Sequence, residues 1–146
     1  MNIHDDPALS LERAPTQADY EALAALRLTL RRFHSFSATE AVAAGLMPQQ
    51  HQALLIIKTR SFTELPTISD VAEQLLIRHH SAVELVNRLV KMGLVERMKD
   101  AHDARRVRLA LTPLAEDKLA TLAVTHLKEL RAVRPFLMEL LDRFGA

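Results

Sequence analysis

Eight lysines and arginines stand against four acids between Arg78 and Arg108, a local charge of +4, while the rest of the chain sums to −3. The whole-chain value of +1 says nothing about partners, but cations gathered in one stretch are the electrostatic footprint of a polyanion. Within that stretch, Arg78, His79, His80, Ser81, Glu84 and Arg88 precede a turn that holds Asp103 and Arg105, flanked by Arg97, Lys99, Arg106 and Arg108. On a helical wheel, His80, Ser81, Glu84, Asn87, Arg88 and Lys91 share an arc of roughly 120°, opposite Ala82, Val83, Leu85, Val86, Leu89, Val90 and Met92. An ordinary surface helix divides the same way. What separates the two readings is the Arg-rich ribbon that follows. A polar-faced helix trailed by a basic ribbon can grip duplex DNA in two grooves at once.

Those residues need elements to hold them. A first helix is expected from Asp19, with Leu23, Leu26, Leu30 and Phe33 as a seam along another helix; Ser35 and Ser37 weaken it, so that Ala38 to Ala44 continue it brokenly until Gly45. Pro48 suits the first turn of a second helix that ends before Pro66. Thr67 and Asp70 cap a third, with Ile68, Val71, Ala72, Leu75 and Leu76 on one face and an end near Ile77. A fourth runs from about His79 to Met92 and stops at Gly93. Val95 to Lys99 and Arg106 to Leu111 read as strands of a hairpin turning over Asp100 to Arg105. Its alternation sets Arg106 and Arg108 opposite Val107, Leu109 and Leu111. Thr112-Pro113 opens a fifth helix with Leu119, Leu122, Ala123, His126, Leu127 and Leu130 in its seam, and Pro135 is expected to break it before a last short segment to Phe144.

At 146 residues the chain has room for one substantial core. It holds no cysteine, which excludes disulfides and thiolate metal sites, and its three glycines leave no phosphate-cradling loop. Nothing suggests an enzyme: no nucleophile turn is recognisable. The seven histidines include no H-x3-H pair, so neither metal nor cofactor is expected. Residues 1–18 carry Pro7 and Pro15 without an amphipathic pattern and read as a flexible arm. No apolar run approaches the length of a membrane span, the N-terminal residues are unlike a signal peptide, and a cytoplasmic protein is the expectation.

Taken together, Leu46-Met47-Pro48-Gln49-Gln50, Ile68-Ser69-Asp70-Val71-Ala72-Glu73-Gln74-Leu75, Ser81-Ala82-Val83 through Arg88-Leu89-Val90-Lys91-Met92-Gly93-Leu94-Val95, and Asp103-Ala104-Arg105 followed by Leu111-Thr112-Pro113 resemble the MarR family of bacterial transcriptional regulators. The resemblance spans about Asp19 to Leu130. It implies a mainly α fold with a small β-hairpin wing: a single domain over 19–146, with a winged helix-turn-helix at 46–112 and dimerization helices at 19–45 and 113–146. It also implies that the helix from His79 to Met92 enters the major groove, bringing His79, His80, Ser81, Glu84 and Arg88 near bases or phosphates. The Asp103 carboxylate would orient Arg105 for the minor groove, whose narrow form rewards an inserted arginine. Arg97, Lys99, Arg106 and Arg108 would then lie on phosphates that set register, and Arg78 is a further expected DNA-binding residue.

Three positions depart from the pattern. Ala104 stands where the family often has a first wing arginine, so that contact is either missing or supplied by Arg106. Leu76 occupies a turn position usually held by glycine. Glu84 either accepts from a cytosine amino group or holds Arg88 as an i, i+4 pair. Relatives place an effector pocket between their two parts, where Arg27, Arg31, His34, His51 and Phe62 could take a small aromatic carboxylate; ordinary surface residues would look the same. The resulting expectation is a homodimeric regulator of transcription on double-stranded DNA, a repressor released by a small effector. The alternative is a winged-helix adaptor that binds protein instead of DNA.

Overall fold

The computed structural model describes residues 14–143. Five helices and a hairpin follow in the order α1 (Gln17–Ala43), α2 (Pro48–Arg60), α3 (Ile68–Leu75), α4 (His79–Lys91), β1 (Val95–Lys99), β2 (Val107–Leu111) and α5 (Pro113–Asp142). Residues 1–13 of the expected arm lie outside the described residues, and its last two, Gln17 and Ala18, belong to α1. Thr16 is the N-cap of α1: its hydroxyl accepts from the Asp19 amide, and the Asp19 carboxylate accepts from the Thr16 amide. This reciprocal capping starts the helix two residues earlier than the hydrophobic seam alone suggests.

Both long helices are less broken than their sequences imply. α1 runs through Ser35 and Ser37 without interruption. α5 runs through Pro135, which sits inside it. A proline in a helix interior costs about 3 kcal/mol, since it removes one backbone bond and crowds the preceding turn. Antiparallel packing of α5 on α1 offsets that cost. Leu140 and Ala22 are buried where the end of α5 meets the start of α1. At the other end the Lys118 ammonium donates to the Ala44 carbonyl at 2.6 Å.

Between these helices sits a reading unit with its own core: Leu54, Ile57, Val71, Val86, Leu89, Leu94, Val95 and Leu109 bury together, joined by Leu119 and Leu122 of α5. Thr67 and Asp70 cap α3 reciprocally, as the sequence indicates. Its end comes at Leu76, which adopts φ 56°, ψ 41° and is 92% exposed. The sharp turn into α4 thus demands a left-handed residue, and here a leucine supplies it against its steric preference. Gly93, at φ +74°, turns α4 into the hairpin. The strands pair antiparallel, Val95 opposite Leu111 and Lys99 opposite Val107. No described helix is long and apolar enough to cross a membrane.

Candidate nucleic-acid interface

α4 presents the division its sequence promises. Ala82, Leu85, Val86 and Leu89 face the core, while His79, His80, Glu84, Asn87, Arg88 and Lys91 are exposed. Ser81 is half-buried beside the core face. Unlike α1, α3 and α5, α4 has no side-chain cap; Arg78, exposed, is its N-cap residue. Its first-turn amides are therefore left without an intrahelical or capping partner, and a helix N-terminus in that state favours an anion. Glu84 and Arg88 form no ion pair within 4.0 Å among the described residues.

The hairpin is fastened to this helix and projects beyond it. Arg97 of β1 donates to the Asn87 side-chain oxygen of α4. Beyond Val95, the residues of β1 are exposed, Lys99 included. At the tip, the Asp103 carboxylate accepts the Arg105 amide at 3.0 Å and lies 3.6 Å from the Arg105 Nε. Arg105 itself is 94% exposed. Ser69, His79, Arg105 and Arg106 line one groove of about 540 Å³, so the start of α4 and the wing tip share a surface. The Ser69 hydroxyl and His79 Nδ1 lie 3.5 Å apart across it.

Arg108 also lines this groove, but its guanidinium is turned to protein partners, unlike the exposed arginines expected on phosphates. Its side chain is only 12% exposed. Nε donates to Asp100 at 2.7 Å, Nη1 donates to the Leu65 carbonyl at 2.9 Å, and Nη2 pairs with Glu64 at 3.0 Å. The reason is an edge the alternation could not reveal. The segment before α3 runs along β2, with the Leu109 amide donating to the Pro66 carbonyl at 2.8 Å, so Arg108 folds along that segment.

Asp100, which sequence reasoning counted only as part of a polar turn, organises the wing. Its carboxylate accepts from the amides of His102 (2.7 Å) and Asp103 (3.1 Å) as well as from Arg108. The His102 amide, then the Arg108 guanidinium, pull its pKa down to about 2. The signal was present: an aspartate two and three residues before the amides it binds is an Asx-type turn former.

The expected effector residues differ in burial. Arg27, Arg31 and His34 are exposed on α1, and Phe62 is 90% exposed past the end of α2, beside Lys58, Leu65 and Leu111. His51 is different. It is buried, its Nδ1 finds no partner, and its ring lies 5.0 Å from that of His126. His126 bonds the Leu122 carbonyl (2.7 Å) and the Ser37 hydroxyl (2.8 Å), and its ring meets Phe33 and Phe36 edge-on. Burial, then the neighbouring His126, lowers the His51 pKa. Among the described residues, no group of three His, Asp or Glu side chains could hold a metal.

A helix after a tight turn, followed by a basic hairpin, defines a winged helix-turn-helix carried between long helices. Residues 44–106 match the model of the MarR family, and the chain has the MarR transcription-regulator fold. A MarR family protein from Bacillus stearothermophilus superposes with a TM-score of 0.74 at 17% identity, over 92% of this chain and 100% of that one. A probable transcriptional regulator from Pseudomonas aeruginosa gives 0.60 at 25% identity, covering 88% and 99%. A mutant MepR from Staphylococcus aureus, solved bound to an oligodeoxyribonucleotide, gives 0.61 at 18% identity, covering 86% and 97%. No curated protein matches the sequence.

Proposed function

We propose that this chain is a DNA-binding transcription regulator of the cytoplasm that acts as a homodimer on a pseudo-palindromic operator, as a repressor. The observation that carries the reading is Arg105: an exposed guanidinium, held beside Asp103 at a wing tip that shares its groove with the start of the uncapped α4. In this reading α4 lies in the major groove, with His79, His80, Glu84 and Arg88 near base edges or phosphates, while Arg105 enters the minor groove. Arg78, Arg97, Lys99 and Arg106 are exposed and suit phosphate.

Dimerization by α1 and α5 is supported by their uncovered apolar residues: Leu23, Leu30, Val124, Leu127, Leu130 and Leu141 are all exposed in the single chain. A twofold pairing would set two α4 helices roughly 34 Å apart, one turn of duplex. A small effector acting between the two parts would work by changing that spacing.

The test is a titration of wild type and Arg105→Ala with duplex DNA at several salt concentrations. The expected result is weaker binding by the variant and a salt slope smaller by about one phosphate equivalent. Absence of any retardation at low salt favours the protein-binding adaptor instead.

A further inference from the structure

We propose that Arg108 is a positioning residue for the wing: it clamps the hairpin to the segment between α2 and α3, and so sets where Arg105 enters the minor groove. This rests on the DNA-binding reading above and adds to it a residue that touches no DNA.

The wing needs such a clamp. A two-stranded hairpin of five-residue strands is marginal in water unless it leans on something else. Only the base of this one does so by apolar burial, through Val95 and Leu109. Toward the tip Met98 and Val107 are exposed, so no hydrophobic contact fixes its direction. Polar contacts replace it. Asp100 gathers the two turn amides and Arg108, and Arg108 carries the connection across to Glu64 and the Leu65 carbonyl. Each of its three nitrogens is engaged, which leaves the fork committed to protein. By contrast Arg105 has only Asp103, at 3.6 Å. Its aim therefore depends on the backbone from which it departs, and that backbone is what the Asp100–Arg108 hub holds.

Charge alone would not do this. A lysine at 108 keeps the charge but is a point donor on a flexible stem, unable to bridge Asp100, Glu64 and a carbonyl in a fixed fork.

The experiment compares wild type, Arg105→Ala, Arg108→Met and Arg108→Lys. The probes are a duplex selected by the wild-type protein from a randomised pool, and two versions of it with an A/T tract or G·C pairs at the wing-proximal flank. Wild type is expected to prefer the A/T flank, because its narrow minor groove rewards the arginine. Arg108→Met and Arg108→Lys are both expected to lose about tenfold in affinity and to lose the flank preference, with the salt slope of wild type. Arg105→Ala loses the preference and part of the slope. If Arg108→Lys behaves as wild type while Arg108→Met loses slope, the residue is a phosphate contact and the proposal is overturned. Retained flank preference in both Arg108 variants overturns it equally.

Hydrogen exchange on the free protein separates this from the DNA-binding reading. The Asp103–Arg106 amides should exchange faster in Arg108→Met while α2 and α5 stay protected. Unchanged protection at the tip refutes the clamp whether or not any duplex binds. Failure of the pool to yield a duplex, with a loosened tip, refutes only the DNA-binding reading.

Discussion

The reading unit and the long helices spend their apolar residues in opposite ways. Between Pro48 and Leu111 a set of large side chains is sealed inside one core: Leu54, Ile57, Val86, Leu89 and Leu109 have no accessible surface. Along α1 and α5 the buried positions are few, three of them the alanines Ala22, Ala41 and Ala115, while several leucines and two valines stay on the surface. One region is complete within a single chain. The other leaves most of its larger apolar side chains exposed, as expected of a helical face in the homodimer proposed above. The difference teaches where stability should depend on concentration and where it should not.

Leu54→Ala should produce the largest effect, a loss of about 2–5 kcal/mol in urea unfolding at every protein concentration, because the cavity lies inside one chain. A loss confined to dilute samples would break the contrast. Next, Leu127→Glu combined with Leu130→Glu should shift wild-type dimers to monomers in sedimentation equilibrium while the chain stays helical; an unchanged mass would exclude this face from the interface. Gly93→Ala should cost about 1 kcal/mol, since φ +74° strains any Cβ although open space surrounds the position. Leu76→Gly relieves the same strain but frees the unfolded chain, so a change below about 1 kcal/mol is expected by thermal unfolding.

Acid sharpens the comparison further, because His51 lies where α2 meets His126 of α5, whereas Asp100 lies wholly within the wing. The lowered His51 pKa means that the unfolded chain takes up a proton first as pH falls below about 6.5. Stability from this site is therefore complete above that pH and declines below it. Asp100, pulled down to about 2, contributes stability that is present above the ordinary carboxylate value of 3.8 and is lost only as pH falls toward 2. Melting followed from pH 7.5 to 5 should show a decline that His51→Gln flattens. Wing-tip hydrogen exchange, corrected for intrinsic rates, should hold steady over the same range.

Sequence reasoning located every helix and both strands, and α3 and the fourth helix almost to the residue, because capping residues and apolar periodicity act locally. Thr67 with Asp70, Thr112 before Pro113, and Gly93 each leave a mark that needs no knowledge of the rest of the fold. The turn at Leu76 was legible as a departure, and its left-handed backbone explains why glycine would suit the place. Pro135 misled for the converse reason. A proline's local preference is to end a helix, and packing against α1 overrides it.

For the candidate interface, residue type and spacing alone determined the polar stripe of α4 and a polar turn holding Asp103 and Arg105, while their pairing was implied by the family resemblance. Which arginine faces solvent was decided by tertiary structure. Arg106 and Arg108 stand on one side of an ideal strand, yet the chain segment from Glu64 to Pro66 returns more than forty positions away in sequence to cover one and leave the other free. His126 is the same case: a member of an apolar seam by periodicity, it becomes the half-buried partner of buried His51 only when α2 is laid against α5. Local rules decide what a segment is; long-range contact decides which of its charges still reach water.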